Sequence, residues 1–168
     1  MNKKLSVAGF FVLLAVVCLS FCGCAKKEIT EENKMETVDA FLTEFFCFNH
    51  LQRYDIYLET LQNAEDIGTH EKASQEYYQP FLSMSTENCI NGMQSNRLPL
   101  KYDSLIVSNG ITVEIQEIQC DPVNESTYAF EVSFEPGEID DVLSTPVKGR
   151  ITIETIDKVV YIDSITIY

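Results

Sequence analysis

The chain predicts an α+β fold, with N-terminal helices packed on a curved, mainly antiparallel sheet of four or more strands. Three observations predict it. From residue 31 to about 97 apolar residues recur at helical spacing. From about 105 to 168 they alternate every second position, and the links between the alternating runs are too short for a crossover helix. Helices followed by a one-sided sheet make a layout in which the helices cover the sheet. Residues 31–168 therefore read as a single domain, with a helical half over 31–97 and a strand half over 105–168.

The first helix has Thr30 as its N-cap, with Glu31 and Glu32 in the first turn, where carboxylates complement the helix dipole. Val38, Phe41, Leu42, Phe45, Phe46 and Phe48 then share one broad apolar face, and Asn49-His50 interrupts it. A second helical stretch carries Leu51, Tyr54, Tyr57 or Leu58, and Leu61. Ile67-Gly68-Thr69 breaks that stretch, and Thr69 is placed to cap Glu71–Gln79 up to Pro80. A further segment, Phe81 to Arg97, holds Leu82, Met84, Cys89, Ile90 and Met93 but is weakened by Asn91-Gly92. Leu98-Pro99-Leu100 then turns the chain.

In the strand half Ile111, Val113 and Ile115 alternate with Thr112, Glu114 and Gln116. Tyr128, Phe130, Val132 and Phe134 alternate with Ala129, Glu131, Ser133 and Glu135. Val147, Gly149, Ile151 and Ile153 do so with Lys148, Arg150, Thr152 and Glu154, and a turn at Asp157-Lys158 leads into Val159–Ile167. Pro122, Pro136-Gly137 and Pro146 mark loops. One face of the sheet is buried, and on the other Lys148 and Arg150 can pair with Glu114, Glu131 or Glu154 across strands.

The order of these elements resembles the nuclear-transport-factor-2-like family, a curved sheet wrapped around a helical layer into a cone. Ala40–Phe48, Tyr77–Phe81, Ile111–Cys120, Tyr128–Phe134 and the final pair Val147–Ile156 and Val159–Ile167 carry the likeness. It spans most of residues 24–168 by pattern rather than by a diagnostic motif, and a cystatin-type helix-on-sheet layout is its near neighbour. The resemblance implies that an enzyme of this kind holds an Asp, His, Glu or Tyr inside the cone as acid or base. Here the inward strand positions are almost all Ile, Val, Phe and Tyr. Tyr128 is the inward polar tip, and the strand carboxylates fall on the outer face. That pattern argues against catalysis.

The N-terminus addresses location. Asn2-Lys3-Lys4 is a basic start, Leu5 to Leu19 carries no charge, and a polar switch follows Cys24. Phe21-Cys22-Gly23-Cys24 resembles the lipobox of bacterial lipoproteins, in which Gly or Ala precedes the cysteine that takes a diacylglyceryl group. That family usually has Leu, Val or Ile three residues before the cysteine and a small residue two before, where this chain has Phe21 and Cys22. The resemblance implies a signal peptide over 1–23, cleavage after Gly23, acylation of Cys24, and anchoring on the extracytoplasmic face of the cell membrane. The competing reading is an uncleaved signal anchor over Leu5–Gly23, close to the roughly 20 apolar residues that span a bilayer. A tether over 24–30 leaves the domain within about 20 Å of the lipid, so a protein partner would itself be near the membrane.

Removing the first 23 of 168 residues leaves 145, and takes Lys3 and Lys4 away, so 10 basic residues face 26 acidic ones and the formal charge moves from −14 to −16. Nucleic-acid affinity comes mainly from neutralising phosphates, so this balance argues against DNA or RNA as partner. Cys18 and Cys22 leave with the signal, and Cys47, Cys89 and Cys120 remain beside apolar neighbours, where small buried hydrophobes are the expectation and one disulfide with one free thiol, its pair not fixed by the sequence, is the alternative. No cysteine or histidine pair has metal-ligand spacing, and His70-Glu71-Lys72-Ala73-Ser74 has serine where a zinc-protease helix needs its second histidine. The acidic run Glu135–Asp141 lacks the alternation of a calcium loop.

No cofactor, metal or catalytic residue is therefore expected. The expected role is a non-catalytic domain binding a protein or a small ligand. An envelope assembly subunit of the conjugation or secretion type is the alternative. A small-molecule isomerase or hydrolase using His50 and Asp55 ranks below both. The helical tyrosines Tyr54, Tyr57, Tyr77, Tyr78 and Tyr102, with Phe81, are expected in the core or at its lip, and a lesser reading has them line an apolar cleft.

Overall fold

A computed structural model of the chain describes residues 29–46, 51–63, 66–111, 113–135 and 146–168. Helices precede strands, as the α+β reading requires: α1 (Glu31–Phe46), α2 (Leu51–Gln62), α3 (Ile67–Tyr78), a single 3-10 turn at Gln79–Phe81, α4 (Glu87–Ser95) and α5 (Leu100–Asn109) lead into β1 (Ile115–Asn124), β2 (Thr127–Phe134), β3 (Val147–Ile156) and β4 (Val159–Ile167).

Local chemistry starts most of the helices. Thr30 and Asn33 cap α1 reciprocally, each side chain accepting from the other's backbone N–H at 3.2 and 3.3 Å. Asp66, not Thr69, caps α3 by accepting from the Thr69 N–H at 2.9 Å, so Ile67-Gly68-Thr69 forms the first helical turn instead of a break. Thr86 accepts from the Cys89 N–H and opens α4, whose buried face is Cys89, Ile90 and Met93. Asn91 and Gly92 sit on its exposed side and do not end it.

The helical part runs on to Asn109, beyond the expected limit near 97, and the first strand begins at Ile115 rather than near 105. The run Ser104-Leu105-Ile106-Val107-Ser108 has strand-like composition. It folds as helix because Leu100, Tyr102, Asp103 and Ile106 fall on one buried stripe and Gly110, at φ 65°, terminates it in the left-handed region.

The sheet is an open antiparallel meander in the order β1-β2-β3-β4. Tyr128, Phe130, Val132 and Phe134 are buried while their neighbours are half-exposed, and Val147, Gly149, Ile151 and Ile153 repeat the alternation. Asp157 and Lys158 both have positive φ (49° and 66°), the geometry of a tight two-residue hairpin turn. Lys148 pairs with Glu131 across the outer face at 2.6 Å. Pro122 lies within β1 rather than in a loop. On an edge strand its missing N–H costs no ladder bond. A bulge after Ile115 shifts the inward positions of β1 to Ile118 and Cys120.

The other edge is covered. Thr86 N–H donates to the Ile162 carbonyl and Ile162 N–H to that of Met84, both at 2.8 Å, so the segment before α4 runs along β4. A bulge at Asp163 turns its carboxylate to accept from Thr86 Oγ1 at 2.8 Å. α1 lies across the buried face. Its Phe46 ring packs on Phe130 and Phe134 at centroid distances of 6.2 and 6.0 Å, and Phe41 packs on Phe81 at 5.5 Å. Its first turn is fixed to the β1–β2 hairpin: Tyr128 Oη donates to Glu31 at 2.5 Å, and Lys34 Nζ donates to the Glu125 carbonyl at 3.0 Å.

Candidate functional site

The inner face of the sheet is filled. Phe41, Leu42, Phe45 and Phe46 of α1 occupy the space beneath Tyr128, Phe130, Val132 and Ile151, and all are essentially inaccessible to solvent. Tyr128, the inward polar tip, is satisfied by Glu31; burial and the Glu31 carboxylate both push its hydroxyl up, so it stays protonated. The space between α1 and the sheet is occupied by packed aromatics.

One accessible cleft lies between α2 and α3, lined by Ile56, Tyr57, Thr60, Ala73, Glu76 and Tyr77, with a volume of about 160 Å³. Helical spacing builds it: Ile56, Tyr57 and Thr60 share one side of α2, while Ala73, Glu76 and Tyr77 share the facing side of α3. The Tyr57 and Tyr77 rings meet at 5.6 Å, and Tyr78 stands edge-on to Tyr77 at 5.0 Å.

Beneath the cleft the Tyr77 hydroxyl donates to the Asp103 carboxyl, which is fully buried on α5. A buried carboxyl is costly unless hydrogen-bonded, so this bond fixes α3 against α5. Tyr78 is buried beside them. Burial, then the neighbouring Tyr57 and Asp103, raise its hydroxyl, with Arg97 opposing. The cleft is therefore apolar and aromatic at its walls, rimmed by the Glu76 carboxylate, and floored by the buried Tyr77–Asp103 hydrogen bond.

No family model matches the chain, and no curated protein or solved structure is significantly similar to it.

The expected residues fall into three groups. Gly23, Cys24, Cys47 and His50 lie outside the described residues, as do positions 136–141 of the acidic run. Asp55 is exposed on α2 and His70 is exposed on α3, neither in a cavity. Cys89 is buried and Cys120 half-buried, both free thiols, and burial pushes each up to about 11. Of the tyrosines, Tyr54, Tyr77, Tyr78 and Tyr102 are buried with Phe81, while Tyr57 with Tyr77 lines the cleft. Among the described residues no cluster of His, Cys, Asp and Glu is placed to hold a metal ion, and no helix is long and apolar enough to cross a membrane.

Asp103 was not legible as part of a site. Its signal is an acid inside the apolar stripe Leu100, Asp103, Ile106, which emerges only once 100–109 is read as a helix.

Proposed function

We propose that the chain is an extracytoplasmic lipoprotein, held by diacylated Cys24, whose domain binds a membrane-proximal protein without catalysing a reaction. The observation that carries the reading is the size and character of the accessible space. The inner face of the sheet is packed solid, and four clefts among the described residues have volumes of about 160 to about 270 Å³. Small-molecule sites usually enclose about 300–1,000 Å³. A cleft of 160 Å³ walled by two tyrosine rings suits a single inserted side chain, the way a protein partner anchors itself.

An apolar or aromatic side chain of the partner enters between α2 and α3, and the rest of the contact is polar. The strongly acidic surface favours a partner with basic groups around that anchor and disfavours nucleic acid. Asp55 sits exposed on α2, which gives an isomerase or hydrolase reading through that residue no enclosed pocket to act in.

The test is photo-crosslinking of the full-length chain in its native cells, with the reactive group at Ile56 on the rim of the cleft and, in a control, at Val107 on α5. Adducts to one membrane protein from Ile56 and not from Val107, together with a diacylglyceryl mass on the Cys24 peptide, are the expected result. Equal adducts from both positions, or none, overturn the partner site. An unmodified N-terminus overturns the anchor.

A further inference from the structure

The two hairpin tips of the sheet lie at one end of the molecule. In the meander the tip pairs are Asn124↔Thr127 and Ile156↔Val159. The Ile153 N–H donates to the Ser126 carbonyl at 2.8 Å, so the β3–β4 hairpin projects past the β1–β2 tip by Glu154, Thr155 and Ile156, or about 10 Å at strand rise. The start of α1 is at the same end. Glu31 and Lys34 are bonded to Tyr128 and to the Glu125 carbonyl, and Ile29, Asn33 and Thr37 face Lys158, Val159 and Val160 across a shallow cleft.

This end is unusually apolar for a set of turns. Val123, Ile156 and Val159 flank the two tips and are 50%, 45% and 48% exposed. Turn-flanking positions at a loop tip are free to be polar, so three aliphatic side chains projecting from one end call for something that covers them.

The position of the chain before α1 says what that is. Six residues, Ala25 to Thr30, separate Cys24 from the first residue of α1. Fully extended, the seven Cα-to-Cα steps from Cys24 to Glu31 reach about 24 Å. α1, with 16 residues, is itself about 24 Å long, so its far end would meet the lipid only with the tether drawn out fully, whereas its start does so at any extension. The hairpin-tip end is the one delivered to the lipid with chain to spare.

We propose that this end of the domain is a membrane-contact surface, with Val123, Ile156 and Val159 entering the interface of the bilayer in which the Cys24 acyl chains are embedded. The inference rests on the acylation of Cys24. Glu125, Glu154 and Asp157 flank the aliphatic side chains, with Lys158 the lone base among the tip residues, so the contact is apolar rather than electrostatic. It is stronger on zwitterionic than on anionic lipid.

The chain has no tryptophan, so a single introduced one reports cleanly. The full-length acylated protein carrying Val159→Trp is reconstituted into phosphatidylcholine vesicles containing brominated lipid and compared with Glu135→Trp, at the opposite end of β2. Quenching about threefold greater at 159 than at 135 is expected, with a blue-shifted emission. A second substitution, Ile156→Glu, and replacement of half the lipid by phosphatidylglycerol each reduce it. Absent quenching at 159, or equal quenching at both positions, in protein whose Cys24 peptide carries the diacylglyceryl mass, refutes the contact and leaves the tips to a protein partner. Absence of that mass refutes the anchor instead.

Discussion

Replacing Gly149 with alanine should be strongly destabilising, although alanine is ordinarily the better strand residue by about 0.5–1 kcal/mol. Gly149 sits on the buried face of β3, directly across from Phe130 of β2, whose ring lies over it. A Cβ there would meet the Thr166 carbonyl oxygen at 2.2 Å and the Phe130 Cζ and Cε1 at 2.4 and 2.7 Å, where ordinary contact begins at 3.4 Å. The ring can give way only by disturbing its packing on Phe46, 6.2 Å between centroids. The carbonyl belongs to β4, paired to β3, and moves only if the two strands part. Overpacking costs about 1–3 kcal/mol and more where backbone must shift, so the loss should be about 3 kcal/mol. For a domain of this size that lowers the melting temperature by about 10 °C and the urea midpoint by about 1.5 M. Circular dichroism during urea titration measures it. Adding Phe130→Leu separates the two contacts: the double variant should remain well below Phe130→Leu alone, because the carbonyl still obstructs. A Gly149→Ala protein as stable as the parent, or more so, would refute the reasoning.

Tyr77→Phe removes the hydroxyl that donates to buried Asp103, and should cost about 1–3 kcal/mol in the same titration; no loss would mean the bond does not hold α3 to α5. The Glu31 carboxyl is held below its ordinary value of 4.5 chiefly by the Tyr128 hydroxyl and next by Lys34. A depressed folded-state value stabilises above the unfolded one and is lost as pH falls through the folded one. Stability should therefore decline on acidification below about pH 4.5, and less steeply in Glu31→Gln; identical pH profiles would count against the link. With both described thiols pushed up to about 11, Cys89 and Cys120 should react with a thiol reagent at pH 8 about 100-fold more slowly in the native protein than in urea, and fast native labelling of Cys89 would show that its burial is wrong.

Much of the architecture was legible where the signal was local. The period-two alternation over Val147–Ile156 and Val159–Ile167, with Asp157-Lys158 between, delimits β3 and β4 as the structure has them, since a strand with one buried face must alternate. Thr30 before Glu31-Glu32 located the start of α1 for an equally local reason. Positions where two local signals competed were less legible. Thr69 and Asp66 are both cap residues, and Asp66 prevails because its extended backbone lets its carboxylate accept from the Thr69 N–H, which starts the helix one turn earlier. Ser104–Ser108 carries β-branched residues that favour strand, and nothing nearby on the chain outweighs them.

The amino-acid sequence alone therefore determined the class, the antiparallel sheet and its buried face, because hydrophobic spacing is a property of consecutive residues. Tertiary structure decided the rest. Whether 100–109 becomes helix depends on burying Leu100, Tyr102 and Ile106 against distant elements. Whether Tyr57 and Tyr77 face each other depends on how α2 and α3 pack, and whether Asp103 has a donor depends on a tyrosine 26 residues away. The filled interior, too, follows from which rings of α1 meet which rings of the sheet. Such contacts join residues far apart in the chain, and no periodicity within either segment encodes its partner.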